Sequence, residues 1–325
     1  MSRCHLLAGT TIVLSLLGVA PSWAQYKPTQ QIEFVVHGGP GSGNDVFGRA
    51  LISIIDKEKL APVRLQIANR AGGGGTVAAS YMVSKKGDPN VIGLFTSVWL
   101  SNPLVQEEAN ARLADMTPIA RMVLEPAVVA VKADAPYQTL QDFLDAAKKN
   151  PGQLKQSGGS PLARDNLVRH LLMRTTGANW SYISFPSGGE RTAALLGGHV
   201  DMMVIEPSEA GELIRSGKMR VLAQIAQKRI AGFENVPTVQ EAGFNIPNVP
   251  QARGVIGPPD MPRDALAFYE DLLQRTVHTE AWQKFLVETQ LEGAFLKSKE
   301  TGAFLTEYEK ELRGILQTAG IKIIR

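Results

Sequence analysis

The feature that most constrains this chain is a strand–turn–helix pattern that occurs four times. In each copy an apolar run enters a turn rich in Gly and Ser, and the turn opens a helical pattern. The copies are Ile32–Leu51, Leu65–Met82, Leu154–Leu172 and Tyr182–Leu196. Repeated alternation of strand and helix calls for an α/β fold with mostly parallel sheets flanked by helices. In such sheets ligands gather beyond the carboxyl ends of the strands, where all four turns would lie. A glycine turn lets backbone N–H groups approach a ligand. The helix that follows adds unpaired N–H groups and a partial positive charge. Each copy therefore reads as an anion site that needs no lysine or arginine.

The same periodicities place the remaining elements. Strands are predicted at 32–37, 63–68, 91–96, 154–157, 180–185, 200–205, 221–225 and 254–257, with 119–132 mostly strand. Helices are predicted at 45–58, 76–84, 140–149, 162–175, 190–196, 208–215, 263–276, 281–288 and 299–318. Asn44-Asp45 can cap the first helix, and Pro262 suits the first turn of a later one.

Residues 1–24 read as an export signal. Arg3 gives a positive start, the apolar run 6–20 is too short to span a bilayer, and Ser22-Trp23-Ala24 is a cleavage site. An uncleaved anchor is the alternative. Cleavage after Ala24 would place the protein in the periplasm of a bacterium. Cys4 is the only cysteine and precedes the apolar run, so the exported chain would hold no thiol for a disulfide, a nucleophile or a metal. The formal charge of +3 falls by one when Arg3 is removed, which gives no case for a nucleic-acid partner. The roughly 300 residues that follow suit two domains.

The first turn, His37 to Asp45, has the composition of a phosphate loop. It lacks the Lys-Ser/Thr of a Walker A motif, and no G-x-G-x-x-G opens its helix. An ordinary glycine turn is the alternative. Four consecutive glycines at Gly72–Gly75 cost backbone entropy, which a close approach of backbone to ligand would justify. Ser157, Ser160 and Asp165 lie in or beside the third turn, and Ser187, Gly188 and Gly189 form the fourth. Helix capping accounts for each singly, and one carboxylate site accounts for the set. His5, His37, His170, His199 and His278 form no ligand pair, so neither a metal nor a cofactor is expected. No serine stands in G-x-S-x-G. Glu206 and Glu209 are spaced as paired carboxylates, and Glu206 ends an apolar run on the ligand side of a sheet. It could accept a ligand hydroxyl or ammonium, or serve as a cap or salt bridge.

Several segments in order resemble one family. They are 40–45 (PGSGND), 69–75 (NRAGGGG), 117–121 (TPIAR), 157–160 (SGGS), 185–190 (FPSGGE), 195–201 (LLGGHVD) and 253–255 (RGV). The chain is similar, over nearly its whole exported length, to the Bug-type periplasmic receptors of tripartite tricarboxylate transporters. The resemblance implies a two-lobed type II binding protein that closes like a flytrap. Lobe one would be 25–122 plus 229–325 and lobe two 123–228, with crossings near 122–126 and 226–229. It also implies a small carboxylate held by backbone amides, serine hydroxyls and waters rather than by an arginine clamp. The partners would be a large and a small membrane permease subunit. Ser42 and Glu206-Pro207 depart from the family pattern. An acid in the cleft disfavours citrate and favours a monocarboxylate with a donor group, such as an amino or hydroxy acid; a mono- or dicarboxylate is expected ahead of citrate.

On this reading the ligand lies among Gly39, Gly41, Ser42, Gly43, Asn44, Asp45, Gly73, Gly74, Gly75, Thr76, Ser97, Trp99, Ser157, Gly158, Gly159, Ser160, Asp165, Ser187, Gly188, Gly189 and Glu206. Trp99 would be an aromatic wall, with core packing as the alternative. A monomeric receptor, not an enzyme, is expected. One rival is an exported esterase or isomerase, for which only Glu206, His37 and Asp165 are candidate catalysts. The other is a sensor that presents its closed form to a membrane kinase.

Overall fold

The computed structural model describes residues 26–249 and 251–325, so the export signal proposed for residues 1–24 lies outside the described residues. In chain order the elements are β1 (Ile32–Val36), α1 (Gly43–Lys57), β2 (Leu65–Asn69), α2 (Thr76–Ser84), β3 (Val91–Phe95), α3 (Val98–Val105), β4 (Thr117–Glu125), β5 (Ala127–Lys132), α4 (Leu140–Lys149), β6 (Lys155–Gly158), α5 (Arg164–Thr176), β7 (Ser181–Ser184), α6 (Gly188–Leu196), β8 (Met202–Ile205), α7 (Pro207–Arg215), β9 (Met219–Ile225), β10 (Gln251–Gly257), α8 (Arg263–Val277), α9 (Glu280–Thr289), β11 (Glu292–Leu296) and α10 (Ser298–Thr318).

The strands form two sheets, one per lobe. The first has the order β11-β4-β10-β3-β1-β2 and the second the order β7-β6-β8-β5-β9. Both are mixed, where mostly parallel sheets are expected from the alternation. The βαβ units do pair in parallel, β1 with β2 and β3, and β6 with β7 and β8. The strands next to the crossings run the other way. β10 is antiparallel to β3 and β4, β11 to β4, and β5 to β8 and β9. These strands enter their sheets from the other lobe or from the C-terminal third. β5 and β10 arrive from the other lobe with no crossover helix from a neighbouring strand of their own sheet, so nothing holds them parallel to it.

Only Pro126 separates β4 from β5, and residues 226–250 make the return. β3, β5 and β8 read as unbroken apolar runs because helices cover both faces of their sheets. Two elements were not evident from periodicity, α3 and β11. The VWLSNPLV run of α3 contains Pro103 and is buried nearly throughout, so it has no amphipathic stripe. β11 pairs at an edge and is half exposed. α10 braces both lobes. Its Leu305, Tyr308, Leu312, Ile315 and Leu316 join one apolar core with Trp99 and Leu104 of α3 and Leu167, Val168 and Leu171 of α5.

Candidate ligand-binding cleft

The four Gly/Ser turns converge. They line one cavity of about 530 Å³ between the two sheets, together with Glu206, Glu209, Gln251 and Arg253. That volume suits a small-molecule site.

The first turn is held by its own side chains. Ser42 is the N-cap of α1, its Oγ accepting from the Asp45 N–H at 3.4 Å. The cap is thus Ser42, not Asn44-Asp45, which lie in the first helical turn. The buried Asp45 carboxylate accepts from Gly41 N–H at 2.9 Å, Asn69 Nδ2 at 3.0 Å and Arg49 Nε at 2.9 Å. Gly41 and Asp45 therefore shape the turn from behind, and Gly39, Ser42, Gly43 and Asn44 line the cavity. The second turn shows why four glycines are present. Gly72, Gly73, Gly74 and Gly75 have φ of 130°, 55°, 63° and 111°, a run of left-handed backbone that side chains resist. Gly74 and Gly75 line the cavity, while Gly73 accepts from the Thr76 hydroxyl at 2.9 Å and both lie outside it. Ser97 and Trp99 are buried core residues, and the Trp99 indole donates to His37 Nδ1 at 2.8 Å rather than forming a wall.

In the second lobe, Gly159 and Ser160 line the cavity. Ser157 is buried, and Gly158 lies beneath the Tyr182 ring. Asp165 reaches the cavity, but its carboxylate accepts from Gly159 N–H at 2.7 Å and the Tyr182 hydroxyl at 3.0 Å. Burial raises its pKa and the Arg191 charge opposes this. Ser187 caps α6, accepting from Glu190 N–H at 3.3 Å. Ser187 and Gly188 line the cavity and Gly189 does not.

Three arginines to which the sequence reading gave no binding role line the same cavity, and each already has an acid. Arg253, 3 % exposed, reaches Glu125 Oε2 with Nε at 2.8 Å and Nη2 at 2.6 Å, and donates to Asn44 Oδ1. Arg164 pairs with Glu206 at 2.6 Å and donates to the Glu125 carbonyl. Arg191 lies 3.6 Å from Asp165 and donates to the Val204 carbonyl at 2.6 Å. Gln251 Nε2 joins Glu125 at 2.7 Å to Glu206 at 3.2 Å across the lobes. The cleft is thus not free of arginine, as the turns alone suggested.

Glu206 is also not a free acceptor. Burial pushes its carboxyl up, but Arg164, Arg191 and Arg253 outweigh this and hold it below its ordinary value. The neighbouring Glu209 goes the other way, pushed up to about 7 by burial and by the charge of Glu206. His37 is held down to about 3 by burial and by Arg253, so the imidazole is neutral. All three candidate catalysts, Glu206, His37 and Asp165, are therefore engaged by other residues of the protein.

The family model described as "Tripartite tricarboxylate transporter family receptor" matches residues 55–321. The chain belongs to this receptor family. It is 29% identical to a UPF0065 protein of Bordetella bronchiseptica over 335 residues, covering 98% of this chain and 97% of that protein. The solved structure of R. palustris Rpa4515 with adipate superposes with a TM-score of 0.85 at 21% identity, covering 90% of this chain and 98% of that one. The periplasmic binding protein BugD superposes with a TM-score of 0.84 at 20% identity, covering 91% and 99%. These two likenesses establish the two-lobed fold of a periplasmic binding protein.

The receptor residues that sequence reasoning missed are Arg164, Arg191, Arg253, Gln251 and Glu209. Of these, Glu209 had a signal in its spacing from Glu206 beside an apolar run, and Arg253 in the RGV segment of the family pattern.

Proposed function

We propose that this chain is a periplasmic receptor that captures a small organic carboxylate between its lobes and delivers it to the membrane permease subunits of a tripartite tricarboxylate-type transporter. We take the lobes to be residues 25–122 with 229–325, and residues 123–228, with the last residues of β4, 123–125, still paired in the first sheet. The observation that carries this reading is the convergence of all four turns, two from each sheet, on one cavity. Contacts across the seam support a closing motion. A Cβ at Gly74 would come within 2.7 Å of Ser160 Oγ, and Ser101 Oγ donates to the Leu162 carbonyl at 3.3 Å. A ligand that touches both faces adds contacts only in the closed state and so favours it. The dicarboxylate in the Rpa4515 structure supports the ligand class.

The test is native mass spectrometry of protein purified from its host, followed by denaturation and a search for a released small molecule. A stoichiometric acid released intact is expected. An empty protein with no thermal shift across mono-, di- and tricarboxylates overturns the reading. A chemically altered acid would favour the enzyme rival.

A further inference from the structure

Glu209 stands apart from the other charges of the cleft. It lies in the first turn of α7, half-buried, and its carboxylate sits at the seam between the lobes. Oε1 lies against Gly43 at the start of α1 and Oε2 against Gly188 at the start of α6, so a Cβ at either glycine would overlap it. The arginines around it each hold another acid, and Arg191 and Arg253 act on Glu209 only from beyond ion-pair distance. Arg253 of β10 pairs with Glu125 of β4, Arg164 of α5 with Glu206 after β8, and Arg191 of α6 with Asp165 of α5. His37 beyond β1 carries no charge to offset it. Among the described residues the Glu209 carboxylate has no hydrogen bond and no ion pair within 4.0 Å. Of the carboxylates that line the cavity, Asp165, Glu206 and Glu209, only Glu209 has no guanidinium within 4.0 Å.

We propose that Glu209 sets specificity in this cleft by receiving a protonated amine of the ligand, while the Gly/Ser turns receive its carboxylate, so that the ligand class is an amino acid. The inference rests on the carboxylate-receptor reading above. A zwitterion gives Glu209 the ion pair it lacks and places its negative end at backbone N–H groups, which suit an anion. A plain dicarboxylate brings only negative charge towards an unmatched carboxylate and is disfavoured by it. Because Glu209 belongs to the second lobe and its carboxylate lies against α1 of the first, an ammonium held by it sits at the seam and adds to the closed state what a plain acid does not.

The test is titration calorimetry with pairs that differ only by an amine: L-aspartate with succinate, L-glutamate with glutarate, and L-alanine with propanoate. Each is run on the wild-type protein and on Glu209→Gln. Within the pair that binds most tightly, the amino member is expected to bind at least tenfold tighter than its partner. Glu209→Gln is expected to remove most of that difference, by weakening the amino member and strengthening the plain acid. Wild-type protein alone gives a second measurement. The amino member's advantage should grow between pH 6 and pH 8 as Glu209 ionises, with Glu125, Asp165 and Glu206 each held against an arginine. Tight binding of a plain acid, unaffected by Glu209→Gln and by pH, overturns the inference and leaves the receptor reading intact. No binding in any pair, together with an empty native protein, overturns both.

Discussion

Replacing Arg253 by Met should cost about 3 kcal/mol of stability in the ligand-free protein. Arg253 and Glu125 are each 3 % exposed, and the guanidinium makes two short bonds to one carboxylate oxygen, at 2.8 and 2.6 Å. Removing one partner of a buried ion pair typically costs about 3–5 kcal/mol, mostly because the other charge is left uncompensated. Glu125 would keep two donors, Gln251 Nε2 at 2.7 Å and Ser208 Oγ at 3.1 Å, which places the cost at the low end. Asn44 would lose the donor to its Oδ1 as well. For a protein of this size about 2 °C of melting temperature corresponds to each kcal/mol, so the loss should be roughly 6 °C. Methionine keeps most of the volume, so packing contributes little. The decisive assay is a double-mutant cycle by urea denaturation, with Glu125→Gln as the second substitution. Neutralising Glu125 in the Arg253→Met background should recover about half of the loss, because no buried charge then remains unpaired. A loss below about 1 kcal/mol for Arg253→Met, or strict additivity in the cycle, would refute the reasoning.

Other substitutions probe the cleft. Gly43→Ala should lower the melting temperature because its Cβ overlaps Glu209 Oε1, and more than half of that loss should vanish in a Glu209→Ala background. Glu209 has a folded pKa of about 7 against an ordinary 4.5. Its contribution to stability is therefore full below the ordinary value and lost as pH rises through 7. Scanning calorimetry should show the wild-type melting temperature falling relative to Glu209→Gln between pH 5 and pH 8; parallel curves would contradict this. Gln156→Leu should cost roughly 1–3 kcal/mol, read by denaturant titration, because the buried Trp180 indole N–H then loses the acceptor it holds at 2.9 Å. The His37 ring should show no titration by NMR between pH 5 and pH 8, since burial and Arg253 hold it neutral down to about 3.

The parts of the molecule that could be read from sequence are those written in local chemistry. The bounds of α4, Leu140–Lys149, follow from a Thr139/Asp142 capping box and a strongly amphipathic stripe. α2 begins where the glycine run ends. The four turns were legible because glycine and serine announce their backbone requirements. The roles within them were less so, since the same serine serves as a cap or as a ligand contact. Ser42 and Ser187 prove to be caps that also line the cavity. β10 was foreseen only from residue 254, because Gln251 and Arg253 are polar and their partners come from β4 and from the other lobe. The pairings of the three arginines were invisible for the same reason. The arginines stand at 164, 191 and 253 with no common spacing, and only the fold brings each to its acid.

The place of β10 has a consequence for the order in which the molecule can be completed. All five strands of the second sheet come from the unbroken stretch 127–225, so everything that sheet needs is contiguous. The first sheet is different. β10 lies between β3 and β4, so the four strands that precede it in the chain cannot join into one sheet until residues 251–257 arrive. Its pairing with β4 joins residues more than a hundred positions apart, and such long-range closure is slow. A chain emerging N-terminus first therefore holds every strand of the second sheet while the first is still two unjoined fragments, β1-β2-β3 and β4. The apolar edges of β3 and β4 stay open for that interval. This makes the interval before β10 arrives the stage at which the protein is most exposed to aggregation and to proteases.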